Sequence, residues 1–236
     1  MFTIKQGEFG YHSKKPPVLF IPQFEVRPGS VVGLLGGNGA GKTTFIKGIS
    51  GLLKHTWFES MEFNGAPASP GNPEFKRNRM TVFTEDQSFR NWSFETYLDF
   101  VSSAYDKAPD NVLHELIDGF NFGSFTKVRI GELSSGNSKK ARLIAAFAIR
   151  PPLLILDEPV DALDFLGTDF LYNSIRKARD SGTSIIMSSH VAESLIDTAD
   201  ILYILQRGTL TGPKDVPNTR DKLVSLLDEN RTSQGE

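Results

Sequence analysis

"GGNGAGKTT", Gly36 to Thr44, decides how this chain is read. It satisfies G-x-x-x-x-G-K-[ST], follows the short β-rich apolar run "SVVGLL" (30–35) and opens the helix-compatible stretch "KTTFIKGISGLL". The order is strand, loop, helix. Glycines such as Gly36, Gly39 and Gly41, with Asn38 and Ala40 between them, let the backbone turn its N–H groups inward as an anion nest, and the helix N-terminus adds partial positive charge. Lys42 is then placed to reach β and γ phosphates, Thr43 to offer a hydroxyl to Mg²⁺, and Thr44 to donate to an inner phosphate.

Further along, "RMTVFT" (79–84), "LLILD" (153–157), "TSIIMSS" (183–189) and "ILYIL" (201–205) repeat the buried-strand pattern, with helix-like segments between most of them. Alternation of this kind predicts an α/β fold with a mostly parallel sheet covered on both faces. The first thirty residues differ: "FTIKQGEFGY" and "VLFIPQFEV" read as antiparallel strands around a Lys-Pro loop, giving a β-rich N-terminal region. From about 88 to 135 the pattern is helical, with "FETYLDFVSSAY" and "NVLHELIDGF" forming an inserted lobe of one single domain spanning 1–236. The polar tail from about 212 reads as a helix followed by disorder.

A phosphate cradle needs a metal and an activated water. In "LLILDEP" the carboxylate of Asp157 ends an apolar strand, where it can bind Mg²⁺ through water, and Glu158 lies one residue further out, where it can polarise water for attack on a γ phosphate. His190 follows the strand "TSIIMSS", at the edge where open parallel sheets bind ligands.

Composition restricts the setting. A formal charge of −2 with 39% hydrophobic residues describes a globular chain without the basic footprint of a nucleic-acid binder. With no cysteine there is neither a disulfide framework nor a thiolate metal site, which suits a reducing compartment. No secretion signal and no apolar run of about 18–20 residues is read, so the expectation is a soluble, cytoplasmic protein. Aromatic residues crowd the stretch from Phe83 to Phe125: Phe94, Tyr97, Phe100 and Tyr105 are expected to pack a small helical core, while some of Phe89, Trp92 and Phe94 can line a groove for a partner's helix. "SKKAR" (138–142) reads as a solvated basic face.

Together these motifs resemble the nucleotide-binding subunit of an ABC transporter over nearly the whole chain. "GGNGAGKTT" is similar to the family's Walker A, "LLILDEP" to its Walker B with catalytic glutamate, "DALD" (161–164) to its D-loop, "SSH" (188–190) to its switch histidine, and "LSSGN" (133–137) to the signature usually written LSGGQ. Ser135 and Asn137 depart from that signature. The resemblance implies an ATPase using ATP and Mg²⁺, with two nucleotide-binding subunits paired head to tail around two ATPs and a helical lobe meeting membrane-spanning subunits on the cytoplasmic face. It implies that Ser134 and Gly136 cap the γ phosphate held by the opposite protomer, and that Asp164 of the D-loop touches the cofactor. The family's Q-loop position falls on Glu85 by place and on Gln87 by side chain, either reaching Mg²⁺ through an oxygen. Tyr11 matches the adenine-stacking aromatic, with Phe9 as runner-up. Export is the expected direction. The rival readings are a soluble ABC-type ATPase of an assembly machinery, such as iron-sulfur cluster assembly, and a kinase or GTPase. The last would need an acceptor site or an Asn-Lys-x-Asp element, and neither is found.

Overall fold

The computed structural model describes residues 1–232. The chain begins with β1 (Phe2–Gly10) and β2 (Leu19–Val26), antiparallel partners in the register Phe2↔Val26 to Phe9↔Leu19. Phe2 and Ile4 point inward, Lys5 and Gln6 both face solvent, and Gly7 and Phe9 are again buried. The shift of phase falls at Gln6, whose φ of 41° interrupts the extended backbone. β3 (Val31–Leu35) is buried throughout and leads through the glycine loop into α1 (Lys42–Ile49). β4 (His55–Phe63) returns along β1, and Asn64-Gly65, both at positive φ, turn it into the two-residue β5 (Ala66–Pro67).

α2 (Pro73–Asn78) starts on an Asn72 side chain that accepts from the Phe75 amide and has proline at its first position, the usual grammar of a helix start. It delivers β6 (Arg79–Val82). α3 (Phe94–Tyr105), capped by Ser93, and α4 (Leu113–Gly119) follow, then α5 (Ser135–Ile149), capped by Ser134. The rest alternates: β7 (Leu153–Asp157), α6 (Phe165–Asp180), β8 (Ser184–Ser189), α7 (Ala192–Thr198), β9 (Ile201–Gln206), β10 (Thr209–Asp215) and α8 (Arg220–Thr232).

All strands join one sheet in the order β5-β4-β1-β2-β10-β9-β3-β8-β7-β6. From β9 to β6 every pairing is parallel, and β7, β8 and β3 are buried at every position, as expected of strands covered on both faces. The other half is largely antiparallel. The tail departs from expectation, because residues up to Asp215 form a strand antiparallel to β9 before α8 begins. An Arg207-Gly208 turn at positive φ directs that hairpin, while Gly212-Pro213 and a register shift between Thr211 and Lys214 conceal it in the sequence. The disorder expected at the extreme end lies outside the described residues. Among the described residues no helix is long and apolar enough to cross a membrane.

Two cores flank the sheet. α5 packs in the larger one, buried from Lys139 to Ile149. In the other the antiparallel half curls around α1, and Phe45 meets the rings of Phe9 and Phe24 edge-on at 5.5 and 5.0 Å. Here Gly48 has no alternative: a Cβ on it would lie 2.2 Å from the Phe9 ring. Gly48→Ala should therefore cost about 1–3 kcal/mol through overpacking, read as a lower urea midpoint at unchanged m-value.

Candidate functional site

β3, β7 and β8 lie side by side and parallel, so their C-terminal ends open on one cleft of about 740 Å³. The glycine loop forms one wall. Gly36 is required where the loop leaves β3, since a Cβ there would come within 2.6 Å of the Leu205 carbonyl on β9. Gly39 and Gly41 take φ of 76° and 109°, and a Cβ on Gly37 or Gly39 would meet nothing within 4 Å. The result is an open cradle lined by Gly37, Asn38, Gly39, Ala40 and Gly41 and leading to Lys42, Thr43 and Thr44. Lys42 is buried, with Nζ donating to the Gly36 carbonyl at 2.7 Å and pairing with Glu158 Oε1 at 3.1 Å. An anion entering the cradle competes with Glu158 for that ammonium.

Asp157 is only 1% exposed, and a carboxylate so placed requires donors. It accepts from Thr43 Oγ1 at 3.1 and 3.2 Å and from Ser188 Oγ at 2.8 Å. This hydroxyl and carboxylate set of hard oxygens, next to an open phosphate cradle, fits Mg²⁺. The backbone of Glu158 sits at φ 44°, in the left-handed region, with its N–H on Ser188 Oγ at 3.0 Å. That turn carries the side chain back over the cleft, where Oε2 accepts from the His190 amide at 3.0 Å and meets His190 Nδ1 at 2.9 Å. Lys42, Glu158 and His190 thus form one hydrogen-bonded line across the ends of three strands.

Tyr11 stands at the mouth, 52% exposed, with its hydroxyl 2.7 Å from Thr44 Oγ1. Phe9, the other aromatic considered, is fully buried against Phe45 and Phe58 and cannot present a ring to the cleft. Glu85 lines the cleft, whereas Gln87 faces a second cavity with Phe89, Arg90, Trp92 and Arg129. Burial of the neighbouring rings changes the expected aromatic roles. Phe94 is core, while Phe100 is exposed and completes a cluster with Phe89 and Trp92, with centroids 4.9 to 5.3 Å apart.

Ser134 and Gly136 do not line the cleft of their own chain. Ser134 is the N-cap of α5, its Oγ accepting from the Asn137 amide at 3.2 Å, and Gly136 lies so close to the 161–164 loop that a Cβ would be 2.4 Å from the Ala162 carbonyl. Asp164 does not line the cleft of its own chain either. Its carboxylate caps α6 through the Gly167 amide at 2.7 Å and pairs with Lys140 at 3.0 Å, and these two contacts hold it below the usual carboxylate range. The acid of "DALD" that does line the cleft is Asp161, pushed upward by burial and by the nearby Glu158 charge.

The expected solvated face at "SKKAR" is also overturned: Lys139, Lys140 and Arg142 are 5%, 6% and 4% exposed. Lys139 Nζ donates to the Phe83 carbonyl at 3.0 Å, and burial, only partly offset by Asp157 and Asp161, brings its pKa down to about 8. Composition gave no sign of this, because main-chain carbonyls and two carboxylates far away in the sequence receive these cations.

An open phosphate cradle after a parallel strand, a buried Thr-Asp oxygen pair and a glutamate directly after that aspartate define a P-loop nucleotide triphosphatase. The family model described as ABC transporter matches residues 20–161, and the chain belongs to that family. It is 31% identical to the ABC-type transporter ATP-binding protein EcsA of Bacillus subtilis (strain 168) over 96% of this chain and 94% of that one. It is 34% identical to the putative ABC transporter ATP-binding protein AlbC of the same organism over 74% and 77% of the two chains. A solved ATP-binding subunit of an ABC transporter superposes with a TM-score of 0.82 at 25% identity, covering both chains completely. The protein is accordingly an ABC transporter ATP-binding subunit, an ATPase that uses ATP with Mg²⁺. Such subunits work with membrane subunits.

Proposed function

We propose that this chain drives an exporter from the cytoplasmic face of a membrane, as one of two copies paired head to tail around two ATPs. The observation that carries the reading is the line Lys42–Glu158–His190 laid across three parallel strand ends beside an open cradle. In this reading the loop amides and Lys42 bind the phosphates, and Tyr11 offers a ring face to adenine. Thr43 and Asp157, with Glu85 across the cleft, would hold Mg²⁺, which neutralises phosphate charge when bound. Glu158 orients water and takes its proton, and His190 keeps the Glu158 carboxylate aimed. Ser134 and Gly136, at the start of α5, serve the cleft of the second copy, where the helix end favours phosphate.

The cavity lined by Phe89 and Trp92, together with the exposed Phe100 ring packed against both, on the segment of about 88–135, is the surface proposed for the membrane subunit. Aromatic anchors in a partly desolvated rim are the residue types that carry interface energy, so Trp92→Ala with Phe100→Ala should cut co-purification of that subunit by about tenfold or more. ATP affinity of the isolated chain should stay unchanged. Equal recovery of the membrane subunit would remove the cavity from this role. Export itself is tested by ATP-driven uptake into inside-out vesicles. A soluble assembly ATPase is not favoured, since the curated relatives are transporter ATP-binding proteins.

A further inference from the structure

Three buried cations in the first turns of α5 hold three separated parts of the chain. Lys139 Nζ donates to the Phe83 carbonyl at 3.0 Å and reaches the Glu158 carbonyl at 3.5 Å. Lys140 pairs with Asp164, which starts α6. Arg142, one turn beyond Lys139 on the same side of the helix, donates through Nε to Asp86 Oδ2 at 3.0 Å and through Nη2 to the carbonyls of Asp86 and Ser88 at 2.8 and 3.2 Å. Segment 83–88 is therefore gripped before and after Glu85, the residue it presents to the cleft. Asp86 is tied further by its own turn, its Oδ1 accepting from the Ser88 amide at 2.8 Å.

Burying a lysine and an arginine is expensive, and a Met or Leu would fill similar volume without that cost. Their acceptors, moreover, are mainly backbone oxygens of segments that carry Glu85 and Glu158. The same helix begins with Ser134 and Gly136. We propose that Lys139 and Arg142 are positioning residues that clamp the Glu85 segment and the Glu158 backbone to the helix start, so that both carboxylates move as one body with the residues offered to the second copy. This inference rests on the functional reading above. Its consequence is that loosening the clamp spoils turnover without touching the groups that bind nucleotide.

The chain has two tryptophans, and Trp92 lies just beyond the clamped segment, its ring tilted against that of Phe89. Trp57→Phe, on the exposed outer face of β4, leaves Trp92 as sole reporter. In that background Lys139→Met and Arg142→Met should lower kcat about tenfold or more. The Kd for ATP measured in EDTA should stay within about twofold, and acrylamide quenching of Trp92 should rise in the Arg142 variant. Arg142→Lys, able to make one of the bonds, should fall between. A kcat within about twofold of the parent in both Met variants, or loss of kcat matched by loss of ATP affinity, would overturn the clamp. If a Met variant does not fold, Asp86→Asn on the loop side decides: unchanged turnover together with unchanged quenching overturns it as well. A parent without ATP hydrolysis would instead sink the functional reading, and the quenching comparison would still show whether Arg142 holds the segment.

Discussion

Glu158→Gln should bind ATP at least as tightly as the parent while turning it over about a hundredfold or more slowly. The amide keeps the shape of the side chain and can still accept from the His190 amide, which lies 3.0 Å from Oε2. It cannot take a proton from water, so the chemical step is lost. Because the carboxylate also holds Lys42 at 3.1 Å, removing its charge releases the ammonium to the phosphates, and binding gains rather than loses. Lys42→Ala should behave differently: it deletes the cation facing the phosphates and leaves Glu158 buried without it, so ATP affinity and turnover fall together. Equilibrium binding of a fluorescent ATP analogue and single-turnover phosphate release separate the two. Near-parental hydrolysis by Glu158→Gln would dismiss that residue as the base, and parental affinity in Lys42→Ala would dismiss the cradle.

The head-to-tail arrangement has an equally large expected effect. Gly136 is a poor place for a lesion, because any side chain there strikes the Ala162 carbonyl of its own chain. Ser135, exposed in the first turn of α5, is better: Ser135→Glu suits the positive end of the helix and so spares the fold, but it repels a phosphate approaching that end. Homodimers of Lys42→Ala or of Ser135→Glu should both be nearly inactive, since each composite site then contains a lesion. A mixed dimer gathers both lesions into one site and leaves the other intact, so up to about half of the parental rate should return. Differentially tagged, purified heterodimers provide the measurement, with ATP-dependent dimerisation scored alongside. If the α5 start served its own cleft, every site in the mixture would stay damaged and no activity would return.

The parallel half of the fold was legible because its strands are uniformly apolar runs flanked by helices, and "LLILD" coincides with β7. β4 went unnoticed for the opposite reason: "HTWFESMEF" is a half-exposed strand whose signal is alternation and the following Asn-Gly turn, not a continuous apolar run. At the cleft, residues adjacent to a strand end could be placed by counting, as Asp157 and Glu158 show. Which acid of "DALD" turns inward could not, because helix capping uses Asp164 and leaves Asp161 at the cleft. The buried cations of α5 were beyond local reading altogether. A lysine next to a lysine looks solvated until the sheet brings Phe83 and Glu158 over it.

The order of the sheet also constrains how the molecule is born. β9 and β10, made from residues 201–215, lie between β2 and β3, which are synthesised long before them. Until those late strands arrive, β2 and β3 cannot join, each keeps an unsatisfied edge, and Gly36 has no Leu205 carbonyl to rest against. A chain stalled short of Ile201 therefore carries every residue of its phosphate loop without the strand that seats it. Competence to bind nucleotide waits on Ile201–Asp215, and release of a chain cut short of them exposes two adhesive edges in place of a premature motor.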